Sequence, residues 1–546
     1  MPIASAPPVR ILRLVALCVF ALLAVVHTWP LAHDPVHQSR NDSSDALLNT
    51  WAIAWVAHQL PRDPAHLFDA NIFSPERHTL GYSEAMIVQG VMAMPILAAG
   101  GSPTLAYNLV LMAGFALTGW AFYLLVRRWT GSEAAGYVSG SLAAFNAHSL
   151  VRLTHLQAQH VEFIALMLFA LDRIIGSRRA RDAAWLGVGF ALQSLTSVYL
   201  LVFATWMLLF AVLARSREWV RRFQLATIAM FGLAAAIAIV LLTPYLLAYY
   251  TVHQLTGFER RWDEASFFAA AWANYLSTPA RVHYTAWSAP YLGPATSSTF
   301  PGVVATLLAV MAIAGKETRL DPRVHMCLAA LIGCVAVSVV PHAPFYPWLH
   351  NHIPLFRAVR VSAHIGQIVL LMLAIVAGFG VAGLRARWVR ARWWPGAAVA
   401  LTVLVNLEAL RAPVGYTPFS EISGIYDELA AMEVGAVVEF PLPQPSMGAL
   451  NAPYMLNSTK HWRPLLNGYS GFQPNSYRET FDAINHFPDD ASLVALHQRG
   501  VTHTVVHFRP QFSETTVGRA TFDAIEQSAS LHRVAQRGDI YIYRLK

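Results

Sequence analysis

Asn41-Asp42-Ser43-Ser44-Asp45-Ala46-Leu47-Leu48-Asn49-Thr50-Trp51-Ala52-Ile53-Ala54-Trp55 follows the first membrane-length apolar segment and opens with two carboxylates. Leu47, Trp51 and Trp55 recur at four-residue steps, so their side chains fall on one stripe of a helix. Tryptophan concentrates at the lipid headgroup level. The pattern therefore predicts a helix lying on the membrane with its acidic end beside the protein. A pair of carboxylates held at a membrane surface is where chemistry is expected.

Working outward, composition supplies the surroundings. Of 546 residues, 55% are apolar and 13% charged, where a soluble domain carries roughly 25% charged residues. With a mean hydropathy of +0.43, this predicts an integral membrane protein in a lipid bilayer. The net charge of +8 sits in short basic clusters between apolar segments, as in cytoplasmic membrane loops, so no nucleic-acid partner is implied. Cys18, Cys327 and Cys334 all fall in apolar segments, so no disulfide framework is expected. The first apolar segment, residues 11–29, follows Arg10 and Arg13 and lacks a small-x-small cleavage site. It reads as a retained anchor rather than a signal peptide.

Further membrane-length segments fall at 104–126, 134–150, 161–176, 183–197, 199–214, 223–248, 303–315, 324–341, 361–384 and 395–411. Met86 to Gly100 is short and interrupted by Pro95, and whether it spans decides the topology. If it only dips into the membrane, the basic clusters after Arg127, Arg178, Arg215, Lys316 and Arg385 all lie inside. The expected architecture is a polytopic α-helical membrane protein of about eleven spans, N-terminus in and C-terminus out. The long loops 30–102 and 249–302 then share the outer face with Val151–His160 and 342–360. Asp172 and Arg173, near an inner end, read as a boundary pair.

Hydropathy falls after about Pro413, and residues 412–546 read as a small extracytoplasmic α/β domain beyond a membrane domain of 1–411. Strands are expected at 435–440 and 500–507, and helices from Asp489 or Asp490 to Arg499 and over 516–528. A hairpin turns at Gly538-Asp539.

This layout resembles the GT-C superfamily of polytopic glycosyltransferases, near protein mannosyltransferases and lipid A aminoarabinose transferases, over about residues 11–411. The likeness rests on the first helix, the acidic first outer loop with its surface helix, the later outer loop and the soluble tail. The tail segments Val438-Glu439-Phe440-Pro441, Asn467-Gly468-Tyr469-Ser470-Gly471 and Gly500-Val501-Thr502-His503 look like those of uncharacterised bacterial membrane proteins. The resemblance implies transfer of a sugar from a polyprenyl-phosphate donor to an extracytoplasmic glycan, lipid or protein acceptor, at the bacterial inner membrane. It implies an essential carboxylate within Asp42-Ser43-Ser44-Asp45. It leaves a divalent cation open, since some members use one and others do not.

Such a transfer needs a base for the acceptor and charge stabilisation for the departing phosphate. Asp45 or Asp42 supplies the base on this reading. Equally, Asp42 can cap the helix and Asp45 can stabilise its first turn through the dipole. Glu84, before the dipping segment, is a candidate for the same cavity. Arg152, His155 and Gln159 would share a helical face, and His155 and Gln157 are candidates for substrate contact. Arg357 and Arg360 enter a span from its outer end and suit phosphate; snorkelling to headgroups is the alternative. Glu259 to Glu264 reads as an internally paired turn. The sequence has no His-Glu-x-x-His, cysteine cluster or Walker-type loop, so no metal ligands are assigned and a lipid-linked donor fits better than a nucleotide sugar. A transporter or lipid flippase would call for charges near mid-membrane and related halves, and neither stands out. A non-catalytic envelope assembly factor is the third reading.

Overall fold

The computed structural model describes residues 9–40, 43–220, 225–257, 259, 261–293, 297–388, 390–511 and 513–546. Asp42 lies outside the described residues. Among them, five helices are long and apolar enough to cross a membrane: Arg10–His27, Pro103–Thr130, Leu225–Thr256, Pro322–His342 and Ser362–Trp388. Ile87–Ala98, Val198–Ala214, Val303–Ala314 and Trp394–Ala409 are shorter apolar helices. Elsewhere the apolar runs break early. The 134–150 run stops at Phe145, and the Asn146 side chain accepts from the Ser149 N–H to start a new short helix. Glu162–Ser177 has 16 residues, about 24 Å of helix against a hydrocarbon core of roughly 30 Å.

The chain forms two compact units, and neither is continuous in sequence. The first comprises residues 1–34, 109–244 and 259–415, the second 35–108, 245–258 and 416–546.

In the first unit, the helix Gly366–Trp388 is apolar on every side and is buried from Gly366 to Val381 except at Leu373. A helix without a polar face is placed in a protein core or against lipid, and here it is in the core. It packs against Val303–Ala314, Glu133–Ala144 and Pro322–Val339. At Gly380 a Cβ would stand 2.1 Å from the Leu308 carbonyl oxygen, so glycine is what lets these two backbones meet. The outward residues Leu225, Ile239 and Val240 are exposed and apolar, a surface suited to hydrocarbon. Asp172 and Arg173 have separate partners: Asp172 pairs with Arg215, and Arg173 with Asp182 at 3.2 Å. The boundary pair read from their adjacency is not formed.

The second unit contains α1 (Ser44–Gln59), α2 (Ile87–Ala98) and a four-stranded sheet. Its strands are β1 (Ala436–Phe440), β2 (Val501–His507), β3 (Leu531–Arg537) and β4 (Ile540–Leu545), in the order β1-β2-β4-β3. β1 and β2 run parallel and the other pairs antiparallel. A parallel pair needs a long crossover, supplied here by Ala452–Asn457, Asn475–Ile484 and Asp490–Gln498. Asp489 caps the last of these, accepting from the Ser492 N–H at 2.8 Å. Gly538 takes the left-handed conformation, φ 57°, that the β3–β4 turn requires. The sheet core joins Ile425, Leu429, Val437, Leu465, Val505 and Ile542.

α1 departs from expectation. Every residue from Ala46 to Ala57 is buried, and Trp51 is 1% exposed. The Trp51 indole donates to Asn71 Oδ1 at 3.2 Å and the Trp55 indole to the Leu67 carbonyl at 2.8 Å. α1 is therefore an internal helix, not one resting its tryptophans in lipid. The other sides of the helix are covered too. Leu47 packs on Ala452 and Leu456, and at Gly90 of α2 a Cβ would meet Val56 at 2.4 Å.

Candidate functional site

Asp45 stands half-buried in the first turn of α1. The N-cap, Ser43, makes no side-chain capping bond, and the unpaired N–H groups of a helix start favour an ionised carboxylate. Tyr469 donates its hydroxyl to Asp45 Oδ1 at 2.8 Å. The strap before α1 is held on two sides. Gln38 and Ser39 pair antiparallel with Pro418 and Thr417. Asn108 Nδ2 donates to the carbonyls of Pro35 and Gln38 at 2.8 and 2.7 Å. This strap ends in Arg40, and Arg40 and Asp45 both act electrostatically on buried Tyr107. Arg40 was passed over in the sequence. Its signal was a basic residue after the first apolar segment, in a loop expected outside, where the inside bias does not account for it.

Tyr469 owes its place to a buried polar network. Asn467 Nδ2 donates to the Glu439 carbonyl at 3.0 Å, and the Glu439 N–H returns a bond to Asn467 Oδ1 at 2.8 Å. Asn467 also donates to Asn451 Oδ1, and Asn451 to the Gly468 carbonyl. The Glu439 carboxylate, fully buried, takes the Tyr426 hydroxyl and His507 Nε2, each at 2.7 Å. Burial, and then Glu439, push the Tyr426 hydroxyl far above its ordinary range, which keeps it a donor. The paired groups of such a buried network help fix one conformation, while Glu439 Oε1 has no hydrogen bond among the described residues. Phe73 closes over Gly468, where a Cβ would sit 2.5 Å from the ring. The tail segments Val438 to Pro441 and Asn467 to Gly471 are thus one construction whose outer end is the Tyr469 hydroxyl.

Glu84 belongs to the same unit but has other neighbours. It acts on Tyr245 and Tyr249, and Tyr249 donates to the adjoining Ser83 carbonyl at 2.7 Å.

The remaining candidates lie in the first unit. Residues 152–161 form turns and a short 3-10 helix at Leu156–Ala158, so Arg152, His155 and Gln159 do not share the helical face expected of them. Gln159 donates to the Ser149 and Arg152 carbonyls, Gln367 to the Ala158 carbonyl and Gln193 to the His160 carbonyl, which pins the loop from within. His155 Nδ1 meets Thr154 Oγ1 at 2.8 Å. Gln157 Oε1 is buried without a hydrogen bond among the described residues. His148 and His364 pack edge to face at 5.3 Å, and both feel the charges of Arg152 and His155. His364 Nδ1 lies 2.7 Å from Ser297 Oγ. This histidine pair escaped the sequence reading because its members stand 216 residues apart.

Arg357 is exposed. Arg360 is paired with Glu264 at 2.7 Å and lies 4.8 Å above the Phe268 ring. In the turn before it, Arg261 holds Asp263 through two bonds, so that pairing is internal while Glu264 reaches out of the turn. Among the described residues, no three His, Cys, Asp or Glu side chains are grouped to hold a metal ion.

No protein-family profile matches the chain, and no curated protein matches it. Solved structures do. The arabinofuranosyltransferase AftD from Mycobacteria is similar with a TM-score of 0.60 and 16% identity, over 99% of this chain. The chain has a GT-C fold. It spans 40% of the AftD chain. Two less similar structures also match. ArnT from Cupriavidus metallidurans, bound to undecaprenyl phosphate, matches 98% of this chain and 97% of its own at a TM-score of 0.48 and 12% identity. The oligosaccharyltransferase AglB from Archaeoglobus fulgidus, in complex with an inhibitory peptide and a dolichol-phosphate, matches 90% and 69% at 0.42 and 13%. The resemblance read from the first outer loop holds at the level of the GT-C fold.

Proposed function

We propose that the chain is a membrane glycosyltransferase that moves a sugar from a polyprenyl-phosphate donor to an extracytoplasmic acceptor, with Asp45 as the base. The observation that supports this most directly is Asp45 itself, a carboxylate at a helix start oriented by the Tyr469 hydroxyl within a GT-C fold. The acceptor oxygen attacks the anomeric carbon as the sugar–phosphate bond breaks. Its proton passes to Asp45, and the electron pair leaves on polyprenyl phosphate with inversion at the sugar. Arg40 offsets the charge building on the phosphate. His155, Gln157, Arg357, Arg360 and Glu84 are proposed substrate-contacting residues, whose alanine variants should raise KM more than they lower kcat.

The proposed arrangement has about eleven crossings, in which the shorter helices traverse locally thinned bilayer. The N-terminus is inside, a membrane domain covers 1–411, and residues 412–546 are extracytoplasmic. Reporter fusions after the basic clusters test each side.

The activity test incubates purified protein with polyprenyl-phosphate sugars and an envelope extract and measures released polyprenyl phosphate. Release that vanishes in Asp45→Asn supports the transferase. A folded protein that releases nothing from any donor sinks it in favour of transport or assembly.

A further inference from the structure

The second unit carries an open cavity of about 870 Å³, within the range of small-molecule sites. It is not at Asp45. It takes Ala54, Ala57, His58 and Arg62 from the last turns of α1 and just beyond, and His58 lies 13 residues down the helix from Asp45, about 20 Å along its axis. Its other walls include the end of α2 and the turn after it, from Met94 to Pro103, and two parts of the tail around Glu421 and around Lys460 and Trp462.

Two features define its chemistry. One is an aromatic wall. His58 stacks on Trp462 with centroids 4.5 Å apart and planes 26° from parallel, and Trp55 meets Trp462 at 5.6 Å. Burial, with Arg62 adding to it, lowers the His58 pKa to about 4, so the stacked ring is neutral near pH 7. Trp462 is half-exposed and holds φ at 53°, a left-handed conformation costly for a bulky residue. The backbone pays strain to present this ring. The second feature is a mixed polar set on the same cavity: Arg62 and Lys460 donate, Glu421 accepts, and Thr459, whose hydroxyl donates to the Leu456 carbonyl, can accept. Arg62 is anchored on the His58 carbonyl and Lys460 on Asp427.

An aromatic face beside donors and acceptors of both charges matches a carbohydrate, whose C–H faces lie on rings while its hydroxyls need both kinds of partner. A purely anionic ligand would be opposed by Glu421, and a lipid chain would leave the polar set unused. We infer that this cavity is a subsite for a short glycan, the acceptor chain, held at the far end of α1 from Asp45. The word acceptor rests on the transferase reading; the binding does not.

The test is ligand-detected saturation-transfer NMR on the full chain in nanodiscs, with mannotriose, maltotriose and chitotriose as probes. Saturable binding of one trisaccharide is expected, weakened at least tenfold in Trp462→Ala and severalfold in Arg62→Ala, and unchanged in Asp45→Asn. Arg62 is exposed, so its variant should fold even if the Trp462 variant does not. No saturable binding of any of the three, or binding equal in wild type and Arg62→Ala, overturns the inference. So does phosphatidylglycerol that survives purification and is lost in Arg62→Ala, which would make the cavity a lipid site. Trisaccharide binding without polyprenyl-phosphate release would sink the transferase reading and leave the glycan site standing.

Discussion

The two ends of α1 are built from the same materials and do different things. At its start, a tyrosine from the tail meets a carboxylate, and the helix dipole favours negative charge. At its end, a tryptophan from the tail meets a histidine, and Arg62 lies just beyond. In both places the tail residue comes from one stretch of chain, Trp462 and Tyr469 being seven residues apart. Between them the helix is buried on all sides. A helix so enclosed works as a rigid spacer: it holds a proposed chemical end and a proposed binding end about 20 Å apart, and neither can shift without repacking the core.

The sharpest break of this comparison is Asp45→Asn. Polyprenyl-phosphate release should fall by a hundredfold to ten-thousandfold, on the order expected for a general base, while trisaccharide binding holds. Loss of both would mean the ends are not independent. Next comes the spacer itself. Trp51→Ala removes a 1% exposed indole and its bond to Asn71, and should cost about 3–5 kcal/mol of stability, read by thermal unfolding. Both functions should then weaken together. Tyr469→Phe keeps the ring but strips the hydroxyl from Asp45, and about a tenfold drop in transfer is expected, since a hydrogen bond to a charged group is worth about 1.5–3 kcal/mol. Unchanged transfer would reduce Tyr469 to packing.

A pH dependence of stability sharpens the comparison at the far end. His58 and His461 both have pKa values lowered to about 4, chiefly by burial. In the unfolded chain they would take up protons near their ordinary value of 6.5. Between these values the unfolded state binds more protons, so their stabilisation is complete above pH 6.5 and is lost as pH falls towards 4. Hydrogen exchange around Thr459–Trp462 should rise over that window. His461→Gln should flatten part of the rise, and a rise of equal size in that variant would assign it elsewhere.

Some of this was legible in the chain. The sheet strands, the Asp489 cap and the Gly538 turn follow from β-branched runs, capping chemistry and the need for positive φ, all of them local. The GT-C fold was met only as a resemblance, through the first helix, the acidic first outer loop, the later outer loop and the tail. α1 was legible as a helix and misread as to its surroundings. Four-residue spacing identifies one apolar stripe, but Asn49 and Thr50 are buried as well, and nothing local says that a polar face will be covered. Charge shows the same limit: the Arg360 partners Glu264 and Phe268 stand almost a hundred residues earlier, and no local pattern pointed to them.

What the sequence by itself determined was the membrane class, the helices and strands with their caps and turns, and the carboxylate at the start of α1. These depend on periodicity and on residues within a few positions of one another. What only the tertiary structure decided was company. Residues 35–108 and 416–546 belong to one compact unit. Within it the Asn467–Glu439 network aims Tyr469 at Asp45, and Trp462 stacks on His58 to wall a cavity. Those pairings join positions some 400 apart. They are set by which buried polar groups and apolar faces satisfy one another in three dimensions, and no local pattern encodes that.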